Sequence, residues 1–286
     1  MSTSLLSGCT SLFFQPTRYI HSNPIEEKYI CEGIYFNSKD GTKLTGLWFP
    51  ADAEKAKGTI IHFHGNAQNM TSHYKYSAWM SSFGYNVFTF DYRGYGASEG
   101  VARSMKAAVE DSEAALQAVL EMPGVDPDKI ILFGQSLGTA MAIAAAAESG
   151  FDPAAMILEG SFYSYKGVSR GFLARRWITW PLLPLPTALI TGKYAPKNEI
   201  KKIHAPKLFI HSVNDKIVVY SQGKKLFSQA PEPKEFINVP NGHIDAFTLY
   251  ASYYSPKVLE FLDKALNLKE NASDDEKTAD GGNEEN

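Results

Sequence analysis

The stretch that most constrains this 286-residue chain is Lys129 to Gly150, KIILFGQSLGTAMAIAAAAESG. Ile130 to Phe133 is a continuous apolar run of strand length cut off by Gly134, and the alanine-rich run from Thr139 to Ala147 has the composition of a helix. A strand must therefore turn into a helix within Gly134-Gln135-Ser136-Leu137-Gly138. A Gly-x-Ser-x-Gly pattern in that setting holds its serine on a strained turn, with the hydroxyl exposed at the sheet edge. So tight a turn brings the strand and helix backbones together, and glycine, lacking a Cβ, fits at both flanks. The Leu137 N–H falls at the helix N-terminus, where an unpaired donor can stabilise a developing oxyanion.

Gly96-Ala97-Ser98-Glu99-Gly100 matches the same pattern, and context separates the two. Ser98 follows the polar, turn-rich Asp91-Tyr92-Arg93-Gly94-Tyr95 and precedes Val101-Ala102-Arg103. With neither a strand before it nor a helix directly after, it reads as a loop serine.

Strands and helices alternate on either side of the elbow. Lys28 to Pro50 alternates about Ser38-Lys39-Asp40-Gly41-Thr42, which predicts an antiparallel hairpin with an Asp-Gly turn. Further strands are predicted over Gly58–Phe63, Asn86–Phe90, Ala154–Leu158, Lys207–His211 and Glu235–Val239. Helices are predicted over Met70–Phe83, Ser104–Glu121, Val218–Gln229 and Pro256–Leu266. That rhythm predicts an α/β fold, a mostly parallel sheet covered by helices on both faces, across residues 28–268. Residues 161–204 interrupt it. They carry eight basic side chains (Lys166, Arg170, Arg175, Arg176, Lys193, Lys197, Lys201, Lys202) against the single acid Glu199, interleaved with apolar residues such as Trp177 and Trp180. The segment reads as a small cap inserted over the sheet edge.

Composition sets outer bounds. Hydrophobic residues at 44% and charged residues at 21% are ordinary for a globular protein, and a net charge of −3 gives no reason to expect nucleic acid. Residues 269–286 hold seven acids against Lys269 and Lys277, with no apolar residue larger than alanine, so this acidic tail is expected to be disordered. The two cysteines, Cys9 and Cys31, imply no disulfide framework. Within the N-terminal segment 1–27, Leu6-Ser7-Gly8-Cys9 resembles a bacterial lipobox, yet only eight residues precede Cys9 and none supplies a basic n-region. Lipidation at Cys9 would place the protein in a bacterial cell envelope; without it the expectation is cytoplasmic. The aromatic patch Leu12-Phe13-Phe14 packs on the domain or, with Cys9 lipidated, lies near a membrane.

A serine hydroxyl is a poor nucleophile at neutral pH, so Ser136 needs a base and the base an orienting carboxylate. Proteins with such an elbow supply these in the order serine, acid, histidine. Of seven histidines, only His204, His211 and His243 follow Ser136. His204 lies in the inserted segment and His211 ends a strand, which leaves His243, in the loop after the last strand. The acid expected in the loop after the preceding strand is Asp215, in Asn214-Asp215-Lys216; a helix-capping role is its structural alternative. Glu159, ending the strand after the elbow, and Asp245, two residues past His243, are competitors. The oxyanion donors are expected to be the N–H groups of Leu137 and of Asn66 in His64-Gly65-Asn66-Ala67, with Ala67 as fallback. His62 and His64 are two apart on a strand, but no cysteine or carboxylate completes a ligand pattern near them, so no metal is expected.

Five stretches together resemble the α/β-hydrolase superfamily: His64-Gly65-Asn66-Ala67, Asp91-Tyr92-Arg93-Gly94-Tyr95-Gly96, Gly134-Gln135-Ser136-Leu137-Gly138, Asn214-Asp215-Lys216-Ile217-Val218 and Gly242-His243. The similarity is to its branch of small bacterial hydrolases and eukaryotic protein depalmitoylases. The resemblance implies an eight-stranded sheet with the second strand antiparallel, a triad of Ser136, Asp215 and His243, and hydrolysis of acyl esters or thioesters without a cofactor. Where relatives commonly have His-Gly before the acid loop, this chain has His211-Ser212. The expected partners are a small or lipid-like acyl substrate and a membrane surface met through 161–204 and Cys9. A peptidase, an acyltransferase and a non-catalytic binding protein are the alternatives on the same scaffold.

Overall fold

The computed structural model describes residues 13–174 and 192–280. Cys9 and the middle of the inserted segment, with Arg175, Arg176, Trp177 and Trp180, lie outside the described residues, as does the end of the acidic tail from 281.

Ten strands occur among the described residues: β1 (Gln15–Pro16), β2 (Glu32–Asn37), β3 (Lys43–Phe49), β4 (Gly58–Phe63), β5 (Ala67–Gln68), β6 (Tyr85–Asp91), β7 (Ile130–Gln135), β8 (Ala155–Glu159), β9 (Lys207–Ser212) and β10 (Lys234–Val239). Eight of them form one sheet in the order β10-β9-β8-β7-β4-β6-β3-β2. β3 runs antiparallel to both β2 and β6, and every other neighbour pair is parallel. The β2–β3 hairpin turns at the predicted Asp40-Gly41, with Gly41 at φ +85°.

Strands β4, β7, β8 and β9 are buried at every position because both sheet faces are covered there, and the two-residue period sends neighbours to opposite sides. Ile61, Phe63, Phe88, Phe90, Leu132, Leu158 and Phe209 join one core with α2 (Met105–Leu120) and α3 (Leu137–Ser149). Ile60, Val87, Ile131, Phe133, Ile157, Leu208 and Ile210 join the other, under α7 (Ala251–Asp280). Helix α3 is buried from Leu137 to Ala146, which its alanines permit by letting it lie close to the sheet.

Two sequence expectations are corrected. The helix expected over Met70–Phe83 is only α1 (Met70–His73), capped by the Asn69 side chain, followed by 3-10 turns at Tyr74–Tyr76 and Ala78–Phe83. The chain tightens to 3-10 geometry directly after His73, with the Ser77 N–H bonded to the Tyr74 carbonyl at 3.0 Å and the Ser77 hydroxyl turned inward to His62 Nδ1 at 2.9 Å. The acidic segment 269–280, expected to be disordered, continues α7 to Asp280. A helix already anchored in the core propagates without a new nucleation cost, and Gly281-Gly282 stands just beyond its end. Of the inserted segment, α4 (Tyr165–Ala174) and α5 (Pro196–Glu199) lie among the described residues; α6 (Tyr220–Gln229) lies between β9 and β10.

Parallel strands β4, β7, β8, β9 and β10 all deliver their C-terminal ends to one edge. Gly65, Ser136, Asp215 and His243 follow those ends and Glu159 closes β8, at the edge where open α/β sheets place their sites.

Candidate active site

Ser136 sits between β7 and α3 at φ +52°, ψ −116°, a combination that side chains other than glycine rarely adopt. The neighbouring glycines are sterically required. A Cβ on Gly138 would lie 1.9 Å from the Phe63 carbonyl oxygen, and one on Gly134 would lie 2.6 Å from Thr139 Cα. The strained turn is fastened on both sides: the Ser136 N–H donates to the Glu159 carbonyl at 2.9 Å, and the Thr139 hydroxyl donates to the Ser136 carbonyl at 2.7 Å.

His243 Nε2 stands 2.8 Å from Ser136 Oγ, and its Nδ1 stands 2.6 Å from Asp215 Oδ2. The two roles considered for Asp215 are both filled, one by each oxygen. Oδ1 accepts the Ile217 and Val218 N–H groups at 2.7 and 2.9 Å, closing the turn ahead of α6, while Oδ2 faces the imidazole. The Asp215 side chain is fully buried, whereas His243 remains partly open to solvent. The His211-Ser212 departure leaves this turn intact: the Asp215 N–H reaches the Ser212 carbonyl at 3.3 Å. His211 is a buried neighbour that donates from Nε2 to the Val218 carbonyl at 3.0 Å, and burial holds its pKa below the usual value.

The competitors go elsewhere. Both oxygens of Glu159 are taken by Gln135 and Ala246, and the Asp245 carboxylate lies against the Gly242 backbone. Ser98 is a buried loop serine, its hydroxyl donating to the Asp91 carbonyl at 2.7 Å and accepting the Thr45 N–H at 3.0 Å. His62 and His64 point to different partners, Gln135 and Gly65, and no cluster of three metal-ligating side chains occurs among the described residues.

The loop after β4 lies against the elbow, with a Cβ on Gly65 reaching to 3.8 Å from Ser136 Cβ. His64 Nδ1 donates to the Gly65 carbonyl at 2.7 Å. In a trans peptide C=O and N–H point in opposite directions, so the Asn66 N–H is turned away from the His64 ring. The Asn66 carbonyl is held by the Gln15 N–H at 2.8 Å and the Tyr95 hydroxyl at 2.6 Å. These two supports went unread in the sequence. Tyr95 lies in a stretch that carries the family resemblance, but Gln15 pairs through its backbone, for which no side-chain pattern exists. The rest of Asp91–Gly96 is also structural: Arg93 pairs with Asp111 and Asp40, and Asp91 Oδ1 takes the Met70 N–H at 2.7 Å.

Comparison with known proteins gives a consistent outcome. The family model described as Serine aminopeptidase, S33, a hydrolase family, matches residues 54–197. The Escherichia coli O157:H7 protein YfhR is 33% identical over 264 residues, covering 90% of this chain and 88% of its own length. The mouse Alpha/beta hydrolase domain-containing protein 17C is 29% identical over 221 residues, covering 77% of this chain and 64% of its own length. Among solved structures, the Pyrococcus furiosus esterase Pf2001 superposes with a TM-score of 0.72 over 88% of this chain and 99% of that one; at 18% identity this is a likeness of fold.

Proposed function

The chain belongs to the hydrolase family described as Serine aminopeptidase, S33, and from that premise we propose that it cleaves acyl esters or thioesters through an acyl-enzyme on Ser136. The observation that carries this reading is the aligned pair of contacts, Ser136 Oγ to His243 Nε2 at 2.8 Å and His243 Nδ1 to Asp215 Oδ2 at 2.6 Å. Asp215 fixes the tautomer that leaves Nε2 free to accept a proton. As Ser136 Oγ attacks the acyl carbon, His243 takes its proton and Asp215 stabilises the imidazolium. The oxyanion is met by the Leu137 N–H at the head of α3 and by the Asn66 N–H. The tetrahedral species collapses, His243 hands the proton to the departing alkoxide or thiolate, and water hydrolyses the acyl-enzyme with His243 again as base. No step calls for a cofactor.

The test is hydrolysis of p-nitrophenyl esters from acetyl to palmitoyl by the wild type and Ser136→Ala, beside labelling with a fluorophosphonate. Ser136-dependent turnover and labelling are expected. A long-chain optimum supports the finer reading, a lipid-facing thioesterase like the depalmitoylases the sequence resembles; a short-chain optimum supports a simple esterase. Labelling without ester turnover points to the amide substrate that the family description suggests, and transfer to an added alcohol or amine points to an acyltransferase. Absence of both activities in a folded protein overturns the enzymatic reading in favour of a binding role. Membrane contact through the basic segment 161–204 is tested by vesicle binding of Arg175→Ala/Arg176→Ala, which is expected to weaken.

A further inference from the structure

Glu159, the last residue of β8, carries a buried carboxylate that the scheme above does not use. Its Oε1 accepts the Ala246 N–H at 2.9 Å, and its Oε2 accepts a Gln135 Nε2 proton at 2.7 Å. Ala246 lies three residues after His243 in the same loop, and Gln135 immediately precedes Ser136. One carboxylate therefore ties the loop carrying the base to the strand carrying the nucleophile. The next residue reinforces the contact, since a Cβ on Gly160 would stand 3.0 Å from His243 Cε1.

With Glu159 ionised, the hydrogen-bond directions run one way along the chain of groups. Gln135 donates its amide nitrogen to Glu159, so its Oε1 accepts from His62 Nε2 at 3.0 Å. His62 is then neutral, and its Nδ1 accepts the Ser77 hydroxyl at 2.9 Å. Burial, which pushes the His62 pKa well below its usual value, agrees with that assignment. With both Glu159 oxygens accepting, every member is satisfied. A proton on Oε2 requires the Gln135 amide to turn over and removes the charge that strengthens the Ala246 N–H tie to Oε1.

We propose that Glu159, as a carboxylate, is a positioning residue that sets His243 against Ser136, and that its protonation weakens the hold on the His243 loop. This rests on the acyl-enzyme reading for its effect on rate, though the tie itself exists independently of turnover. The groups facing Glu159 are Gln135 and, through it, His62; Tyr76 from the turns after α1; and Ala246, Asp245 and His243 from the loop. Burial dominates and raises its pKa from 4.5 to about 7; the hydrogen bonds from Gln135 and Ala246 and the field of His243 oppose that, and Asp245 adds to it. The transition thus lies near neutrality, with the competent form above it.

The experiment compares wild type, Glu159→Gln and Glu159→Asp. The first readout is log(kcat/KM) for a p-nitrophenyl ester from pH 5 to 9. The wild type is expected to lose more than 10-fold per pH unit through the Glu159 transition and Glu159→Gln no more than about 10-fold, since only the wild type carries the Glu159 proton. At pH 8.5 Glu159→Gln is expected to lower kcat with KM nearly unchanged, and Glu159→Asp to restore part of the loss. A one-proton wild-type limb with an unaltered Glu159→Gln profile would overturn the proposal. The second readout needs no turnover: amide-exchange protection of residues 243–250 is expected to fall in the wild type between pH 8 and pH 6 and to be flat in Glu159→Gln. Equal protection in both proteins at both pH values would overturn the tie itself, whereas wild-type inactivity on esters with the protection change intact would count only against the acyl-enzyme reading.

Discussion

Replacing Ser136 with glycine should make the protein more stable than replacing it with alanine, although both variants remove the hydroxyl proposed as the nucleophile. At φ +52°, ψ −116° the residue has the conformation of the first central position of a type II′ turn, which glycine adopts freely and a Cβ opposes. Holding a non-glycine residue in so sparsely populated a region costs about 1–3 kcal/mol. Glycine relieves that strain, while its freer unfolded chain takes back roughly 0.4–1 kcal/mol. The net expectation is about 0.5–2 kcal/mol in favour of Ser136→Gly. At about 2–4 °C per kcal/mol for a domain near this size, its melting midpoint should lie a few degrees above that of Ser136→Ala. Alanine is the proper control because it keeps the Cβ and loses the same hydroxyl contact with His243. Matched thermal melts, checked by urea midpoints, decide the matter. A glycine variant that melts at or below the alanine variant would refute the claim that exposing the serine hydroxyl on this elbow strains the backbone.

Other perturbations have equally definite outcomes. Asp215→Asn keeps an oxygen for the Ile217 and Val218 N–H groups but sets an amide against His243 Nδ1, forcing the wrong tautomer; kcat on an ester should fall about 10⁴-fold with the circular dichroism unchanged. Arg93→Met leaves the fully buried Asp111 carboxylate without its cation and should lower the urea-derived stability by about 3–5 kcal/mol, most of which Asp111→Asn in the same chain should restore. Tyr95→Phe removes one of the two donors on the Asn66 carbonyl and should reduce kcat about 5-fold with KM unchanged, measured under steady state. Glu159 also links stability to pH. Its folded pKa is raised from 4.5 to about 7, so the folded state binds the extra proton and stability rises as pH falls between those values; the full effect is about 3 kcal/mol, absent in Glu159→Gln. Urea midpoints of the two proteins at pH 5 and pH 8 should therefore diverge by pH, and a constant difference would refute the linkage.

The sheet was largely legible because its strands obey local rules. The runs Gly58–Phe63 and Lys207–His211 are apolar and bounded by turn residues, and the observed strands match them to within one residue. The failures came where a tertiary contact overrides local preference. The helix expected from Met70 gives way to 3-10 turns after His73, where the Ser77 hydroxyl turns inward to His62 on a strand distant in sequence. The acidic segment 269–280 is helical because it continues a helix whose earlier turns are anchored by Tyr254, Val258 and Leu262. No local window contains either cause.

The site follows the same division. Ser136, Asp215 and His243 were legible because chain order and strand ends restrict the choice to a few residues, and their side chains meet in the structure. Glu159 entered the sequence reading only as a rival acid, since a carboxylate at a strand end invites one question: whether it orients the base. In the structure it accepts a main-chain N–H from the loop that carries His243, and the donor, Ala246, has no side-chain signature. The two costly features of the site, a serine at positive φ and an acid raised to about 7 by burial, belong to adjoining strands joined by the Ser136 N–H to Glu159 carbonyl bond. Sequence patterns register the first because glycines must surround it. They miss the second because its partners, Gln135 and the Ala246 N–H, are fixed by the register of β7 on β8 and by the return of the chain after β10.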